Sequence, residues 1–212
     1  MPTVVIGNNT GDDYSGTEDT VLHSDAPDST YGTQTGLECK YTSSARNNTL
    51  LKFSGLSNIT GPVTVSAASI YLYGSNPWDN ITLYARRLLR NWSEDNATYN
   101  VYNTDNSWST AGALSDGNDR VASATGSLTV GTSANYDSFD CAADVEDMIN
   151  GDINNYGYVI TRDTEDSFYY TSHTSSEGTD GQRPYLSVTY EESGGSSIVP
   201  IILAMNHFNG GM

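Results

Sequence analysis

Apolar and β-branched residues alternate with polar ones over several short stretches of this chain. The clearest is residues 63–73, where valine, isoleucine, leucine and tyrosine recur at nearly every second position. A period of two predicts half-buried β-strands. The same kind of pattern, bounded by turn-forming Asn, Asp and Gly, predicts further strands at residues 37–41, 50–53, 80–86, 156–162, 167–172 and 184–190.

One stretch has the period of a helix instead. Residues 140–151 place three apolar side chains on one face, Asp140 is a suitable N-cap and Gly151 a suitable end. Many short strands with one short helix predict an all-β, jelly-roll-type β-sandwich over residues 1–190. A domain of that length can bury a core of its own.

The pattern changes after the last predicted strand. Residues 191–197 are small and polar, which predicts a flexible linker, and residues 198–212 form an extended apolar tail. An apolar peptide on a flexible linker needs a partner. We expect it to attach the domain to capsid or tail proteins of a virion, or to join copies into a dimer or trimer; the alternative is that it folds back on its own sandwich. The predicted attachment residues are Ile198, Val199, Ile201, Ile202, Leu203, Met205 and Phe208.

Charge and composition exclude several classes of protein. The chain has 26 acidic residues and nine Lys and Arg, a net charge of -17. Such a charge repels phosphate backbones and argues against nucleic-acid binding. The apolar run in the tail is too short to span a bilayer, so we expect no membrane insertion. The first residues lack the basic segment and apolar run of a signal peptide, which predicts assembly in a host cytoplasm.

The cysteines and histidines give no sign of catalysis. Cys39 and Cys141 lie at core-facing positions of alternating stretches, which favours buried free thiols over the alternative of one disulfide. The three histidines, His23, His173 and His207, are far apart in the sequence. No nucleophile elbow, phosphate loop or zinc motif is present. We therefore predict a protein that is not an enzyme.

Several segments, taken in order, resemble a known domain family. Residues 92–94 read Trp-Ser-Glu and residues 97–100 read Ala-Thr-Tyr-Asn, which resembles the Trp-x-Glu-x-x-Ala-Thr-Trp-Asn signature of the DNRLRE family, with Tyr99 in place of the usual Trp. This family is related to carbohydrate-binding modules. The resemblance covers about residues 12–190 and implies a jelly-roll sandwich with a binding or structural role, without a particular ligand. The other matching segments are residues 18–21, 29–32, 50–56, 66–73, 108–112, 139–140, 151–158, 175–177 and 183–190.

Sugar binding needs aromatic faces for C–H surfaces and polar groups for hydroxyls. Aromatic residues in polar, loop-like contexts and one arginine meet this need. The alternative for Trp92 and Trp108 is a core role under long loops, and for the arginines at 86, 87 and 90 it is to balance nearby acids. The predicted glycan-binding residues are Trp78, Tyr99, Tyr102, Trp108 and Arg86.

Calcium is the one cofactor that the sequence suggests. Asp12, Asp13, Glu18 and Asp19 supply hard oxygen ligands near one loop, and β-sandwich modules often hold loops with calcium. The spacing is not that of an EF-hand. The alternative is an acidic, solvated loop without an ion.

These features together predict a bacteriophage virion surface protein. A surface-type module without a secretion signal, ending in an apolar tail, fits capsid decoration, a head fibre or a tail appendage, with adhesion to a host surface polysaccharide. We therefore expect it on the virion surface. One alternative is a secreted bacterial carbohydrate-binding module of a larger polysaccharide-active protein. Another is a purely structural cement without a glycan site.

Overall fold

A computed structural model of the chain describes residues 1–7, 16–76, 81–131, 133–163 and 168–193. The predicted apolar tail and most of the predicted linker lie outside these residues. Asp12, Asp13 and Trp78 also lie outside them. Among the described residues, no helix is long and apolar enough to cross a membrane.

The described residues form short strands and one α-helix, which confirms the predicted all-β fold. Each of the seven strands predicted from the alternating pattern coincides with an observed strand. The elements, in chain order, are β1 (Thr3–Ile6), β2 (Thr17–His23), β3 (Gly36–Tyr41), β4 (Arg46–Phe53), a 3₁₀ turn (Ser54–Asn58), β5 (Val63–Asn76), β6 (Ile81–Arg87), β7 (Val101–Asn103), β8 (Asn106–Ser107), β9 (Gly126–Val130), β10 (Tyr136–Asp140), α1 (Ala142–Asn150), β11 (Tyr158–Thr161), β12 (Tyr169–Thr174) and β13 (Tyr185–Glu192).

The strands pair antiparallel in two layers. One layer, here called sheet A, contains β1, β13, β5 and β10 in that order. The other, sheet B, contains β2 and β4, followed by β3 with β12 and by β11, β6 and β9. The end of the long strand β5 also pairs with β12, which joins the two layers. This arrangement is that of a β-sandwich.

The main core lies between the inner faces of the two sheets. In β5, Ile70 and Leu72 are buried there while Tyr71 and Tyr73 point to the other side, as the period of a strand requires. Both cysteines are buried and free, as predicted. The largest core side chains include Leu51, Phe53, Leu83 and Ile160 of sheet B and Ile70, Leu72 and Leu186 of sheet A.

A second hydrophobic cluster covers the outer face of sheet B. The long loop between β6 and β9, residues 88–125, folds back and places Trp92 and Trp108 against the strands. The indole N–H of Trp92 donates to the carbonyl of Tyr156 at 2.8 Å. Sheet B is therefore covered on both sides, because its own connecting loop packs on it. The buried members of this cluster are Leu22, Leu50, Leu88, Trp92, Ala97, Trp108, Ala113 and Val159.

The helix α1 confirms the predicted helical segment, but its N-cap position is Cys141 and not the predicted Asp140. Its first N–H, from Ala142, is bonded to the side chain of Asp140 at 3.0 Å, and the helix ends at Asn150, just before Gly151. Val145 is buried in the main core. Asn150 and Glu146 accept hydrogen bonds from the backbone N–H groups of β5 at 2.8 and 2.7 Å, so the helix lies along the first half of that strand.

Candidate functional site

Four tyrosines form a cluster on the outer face of sheet A. Tyr71 and Tyr73 alternate along β5 with buried core residues, so both point outward. Tyr71 lies directly opposite Tyr185 of β13, and Tyr73 lies opposite Tyr136 of β10. Directly opposed side chains of an antiparallel pair are close enough for their rings to meet. The pairing of the strands therefore builds this cluster from three separate segments.

The rings contact one another closely. Tyr71 and Tyr185 stack with centroids 4.5 Å apart and planes 6° from parallel. Tyr136 makes edge contacts with Tyr73 at 5.3 Å and with Tyr185 at 5.2 Å. All four side chains are half-buried. Each ring holds its neighbours in place, so the cluster presents a rigid, partly exposed aromatic surface.

The tyrosines are surrounded by hydroxyl groups and by few charged side chains. Ser69 and Ser187 face each other across β5 and β13, and Ser138 of β10 lies opposite Tyr71. Among the described outward positions of the four strands in sheet A, the charged residues are two acidic ones at the ends of strands, Asp140 opposite Ser69 and Glu191 opposite Thr64. We call this surface, made by Tyr71, Tyr73, Tyr136 and Tyr185 with the three serines, the tyrosine face. It is nearly free of charge in a protein whose net charge is -17.

Burial raises the pKa of two phenols of the tyrosine face, Tyr136 and Tyr185. It raises the pKa of Tyr136 to about 12, helped by Tyr185 and Tyr73. The hydroxyl of Tyr136 donates to the carbonyl of Gly181 at 3.0 Å. Because this one O–H is used within the protein, the Tyr136 oxygen can only accept a hydrogen bond from a ligand, whereas the hydroxyls of Ser69, Ser138 and Ser187 can donate or accept. The surface therefore combines aromatic rings with neutral hydroxyl donors and acceptors.

The predicted glycan-binding aromatics lie elsewhere, on the long loop over sheet B. Trp108 is 5% exposed, and its indole N–H donates to the carbonyl of Thr98 at 3.0 Å. This placement corrects the prediction of a sugar-facing Trp108, because the loop folds its aromatic side chain onto the sheet. Tyr99 and Tyr102 are half-buried against the same cluster, and the Tyr102 ring lies 5.4 Å from Trp108.

The side chain of Arg86 is also occupied by contacts within the protein. It is 8% exposed and forms two hydrogen bonds with the carboxylate of Asp163, at 2.6 and 2.8 Å. Its Nε donates to the carbonyl of Ala122 at 3.2 Å. A bidentate pair of this kind holds the guanidinium in place. The alternative interpretation, that this arginine balances nearby acids, fits the structure better than a glycan contact.

Three carboxylates meet at a second place in the molecule. Asp19 belongs to β2, Glu94 to the beginning of the long loop, and Glu177 to the turn after β12. One carboxylate oxygen of each lies within 4.8 Å of those of the other two. We call these residues the acidic triad. Each belongs to a segment that carried the family resemblance, so three sequence motifs converge here.

Hydrogen bonds tie the three segments of the acidic triad together. The backbone N–H of Asp19 donates to Oε1 of Glu94 at 2.7 Å. The backbone N–H of Ser176 donates to Oδ2 of Asp19 at 2.8 Å, and its hydroxyl donates to Oε1 of Glu177 at 2.9 Å. These contacts fix the three carboxylates relative to one another.

The electrostatic environment of the acidic triad is unfavourable to negative charge. Asp19 is 1% exposed, and burial with the neighbouring Glu177 and Glu94 raises its pKa well above the usual range. Burial, together with Glu177, Glu18 and Asp95, raises the pKa of Glu94 to about 7. The atom Oε2 of Glu177 is buried and has no hydrogen-bond partner among the described residues. Carboxylates in such a place are stabilised by a cation or by protonation.

The structure does not bring all the predicted calcium ligands together. Asp19 belongs to the acidic triad, but Glu18 points to the opposite side of β2 and forms an ion pair with Lys52. Glu94 and Glu177 were missed, because they are far from Asp19 in sequence. The order of the family motifs in the sequence is the signal that connects these residues with Asp19. That order does not show how close the residues lie in space.

A comparison with models of known protein families finds a match for this chain. The model of carbohydrate-binding module family 96 matches residues 12–190, the range over which the sequence resembles such modules. No curated protein matches the chain. The matched family consists of binding modules rather than catalytic domains. The chain belongs to carbohydrate-binding module family 96.

Proposed function

We propose that this chain is a non-catalytic module that binds a neutral polysaccharide on its tyrosine face. The observation that carries the proposal is the aromatic cluster of Tyr71, Tyr73, Tyr136 and Tyr185 on the outer face of sheet A. The connecting loop covers sheet B, whereas sheet A keeps exposed side chains, such as Val5 at 53%. An extended strand face of this kind suits a long, flat ligand.

The chemistry of the tyrosine face favours sugars. Aromatic rings pack against the C–H surfaces of a pyranose, and neutral hydroxyls exchange hydrogen bonds with its hydroxyl groups. Ser69, Ser138 and Ser187 add short side-chain donors and acceptors between the rings.

Charge favours a neutral sugar over an acidic one. The whole chain carries a net charge of -17, which repels a polyanion at long range. The basic side chains near the sheets are occupied by carboxylates: Arg86 pairs with Asp163 and Lys52 pairs with Glu18. A uronic-acid polymer would need free cations on its binding face, and the outward positions described for sheet A carry none.

Affinity electrophoresis tests the proposal directly. The protein is run in native gels containing neutral glucans, mannans or galactans, and in gels containing alginate. We expect retardation by at least one neutral polysaccharide and none by alginate. The variant Tyr185→Ala should weaken binding about tenfold, which corresponds to ~1.4 kcal/mol. Tyr185→Phe keeps the ring and should retain most of the affinity.

A matched variant separates the two aromatic surfaces. Tyr102→Ala removes a half-buried tyrosine from the long loop, where the sequence predicted the glycan site. On the tyrosine-face proposal it leaves the affinity unchanged. Loss of binding in Tyr102→Ala with normal binding in Tyr185→Ala would place the glycan on the loop and contradict the proposal.

We also propose that the module is displayed on the surface of a bacteriophage virion and attached through residues 198–212. What supports this is the abrupt change from the sandwich to a polar linker and an apolar tail of seven large side chains. Burying each such side chain contributes about 1.5–3 kcal/mol, enough for several to offset the cost of docking. The alternative remains a secreted module of a larger polysaccharide-active protein.

Truncation tests the attachment. Deleting residues 194–212 should leave a folded monomer, whereas the full chain should form dimers or trimers or sediment with assembled particles. A full chain that stays monomeric and is absent from purified particles, or a truncated chain that still assembles, would contradict the proposed attachment.

A further inference from the structure

We propose that the acidic triad, Asp19, Glu94 and Glu177, binds a calcium ion that holds three segments of the sandwich together. This site lies apart from the tyrosine face, and the inference does not depend on glycan binding. It rests on the geometry of three oxygen ligands, on a buried carboxylate oxygen without a partner, and on the sign of the surrounding charges.

The spacing of the ligand atoms fits one ion. One carboxylate oxygen of each residue lies within 4.8 Å of the other two. Calcium binds oxygen at about 2.3–2.6 Å, so two oxygens on opposite sides of one ion are up to about 5 Å apart. A single calcium ion can therefore contact all three carboxylates without a large movement of the backbone.

An independent observation points to a ligand in this place. Oε2 of Glu177 is shut off from solvent and has no hydrogen-bond partner within the described part of the chain. The carboxylate of Asp19, 1% exposed, lies beside it. A buried carboxylate oxygen that neither water nor a donor satisfies costs free energy, and a bound cation removes that cost.

The charged residues around the acidic triad also favour a bound cation. The neighbouring charged groups that raise the pKa of Asp19 are Glu177 and Glu94, and those that raise the pKa of Glu94 are Glu177, Glu18 and Asp95. All of them are acidic. Since the described surroundings of the triad supply repulsion rather than a lysine or arginine partner, a divalent cation is the group that would balance it.

The kind of ligand selects the kind of ion. The triad offers oxygen atoms alone, without the His or Cys ligands that zinc prefers. Calcium accepts six to eight oxygens in a flexible arrangement, and water can complete its shell. Magnesium requires a tighter octahedral geometry that carboxylates from three separate segments rarely provide. We therefore assign the site to calcium.

Such an ion would have a structural effect. β2 lies at the edge of sheet B, where β4 is its one partner among the described strands. Glu94 begins the loop that covers sheet B, and Glu177 belongs to the turn that leaves β12. The ion would join the edge strand, the covering loop and the turn, and so would stabilise the folded chain over the unfolded one.

Thermal unfolding of the full chain tests the site. The protein is treated with EDTA, dialysed, and unfolded at neutral pH with no added metal, with millimolar calcium or with millimolar magnesium. We expect calcium to raise the Tm by roughly 5–10 °C, because saturation far above Kd adds stability to the folded state alone. Isothermal titration with calcium chloride should give one ion per chain.

Variants make the test specific. Glu177→Gln and Glu94→Gln should lose most of the calcium-induced shift, and their metal-free Tm should equal or exceed that of the wild type because repulsion is relieved. The control is Asp95→Asn, an exposed carboxylate beside Glu94, which should keep the full shift. If a Gln variant does not fold, the titration of the wild-type chain decides alone.

Three results would overturn the proposal. The first is a Tm that calcium leaves unchanged, together with no heat of binding. The second is an equal shift in Asp95→Asn and Glu177→Gln variants, which would show nonspecific screening of negative charge. The third is an equal shift with magnesium, which would remove the assignment to calcium.

Discussion

Asp119 is a buried carboxylate that organises the loop over sheet B, and its replacement should destabilise the protein strongly. It is 0% exposed, and its two oxygens accept backbone hydrogen bonds from Ser109 at 2.8 Å, Thr110 at 2.9 Å and Ser115 at 3.3 Å. The guanidinium of Arg90 lies 3.7 Å away. One side chain therefore satisfies three N–H groups in a segment that has little regular structure.

The magnitude follows from the number of bonds lost in Asp119→Ala. A hydrogen bond to a charged group contributes about 1.5–3 kcal/mol, and an unsatisfied buried donor costs about 1–3 kcal/mol. Two of the three bonds are short, and partial entry of water offsets some of the loss. We expect the free energy of unfolding to fall by about 3–4 kcal/mol. Asp119→Asn keeps one carbonyl oxygen and should lose about half as much.

Urea unfolding followed by tryptophan fluorescence measures the effect, because Trp92 and Trp108 both belong to this loop and pack their side chains against sheet B. The matched control is Asp116→Ala, which removes a carboxylate of the same turn whose side chain is 51% exposed and pairs with Arg120. It should cost less than about 1 kcal/mol. A loss below about 1 kcal/mol in Asp119→Ala, or one equal to that of the control, would refute the reasoning.

Two further predictions concern the core and the backbone. Burial raises the pKa of Cys39 to about 11 and that of Cys141 to about 12, so both thiols stay protonated at mildly alkaline pH. Both should react with a disulfide reagent far more slowly in the folded protein than in denaturant. Rapid reaction of the native protein would contradict this prediction. At Gly157, φ is +71°, and a Cβ would clash with the backbone of Leu51, so Gly157→Ala should cost more than about 3 kcal/mol in urea unfolding. Gly117→Ala, at φ +79° with open space around it, should cost about 1–2 kcal/mol, and equal losses in the two variants would disprove the steric argument.

The sequence predicted the sandwich well because its long strands alternate over most of their length. In β5 and β13, every second side chain enters the core except at one irregularity of the pairing, and this period is visible without any knowledge of the fold. The alternating pattern missed six strands, β1, β2, β7, β8, β9 and β10. Of these, β7 and β8 have only three and two residues, which is too short to show a period, so their existence depends on tertiary pairing.

The functional surfaces were harder to predict, because both depend on pairing between distant segments. Tyr71 and Tyr73 were placed in a strand, but nothing local shows that Tyr136 and Tyr185 lie opposite them. The acidic triad joins residues 75 or more positions apart. Trp108 was misjudged for a related reason: its neighbours in sequence are polar, and its burial arises when the loop folds onto sheet B.

Mapping of backbone amides by NMR, during titration with a neutral oligosaccharide that retards the protein, tests the central claim most directly. We predict that the largest chemical-shift changes fall in β5, β10 and β13, around Tyr71, Tyr136 and Tyr185, and that the amides of residues 98–108 stay unchanged. Changes concentrated in the long loop, or no changes with any neutral glycan, would contradict glycan binding on the tyrosine face.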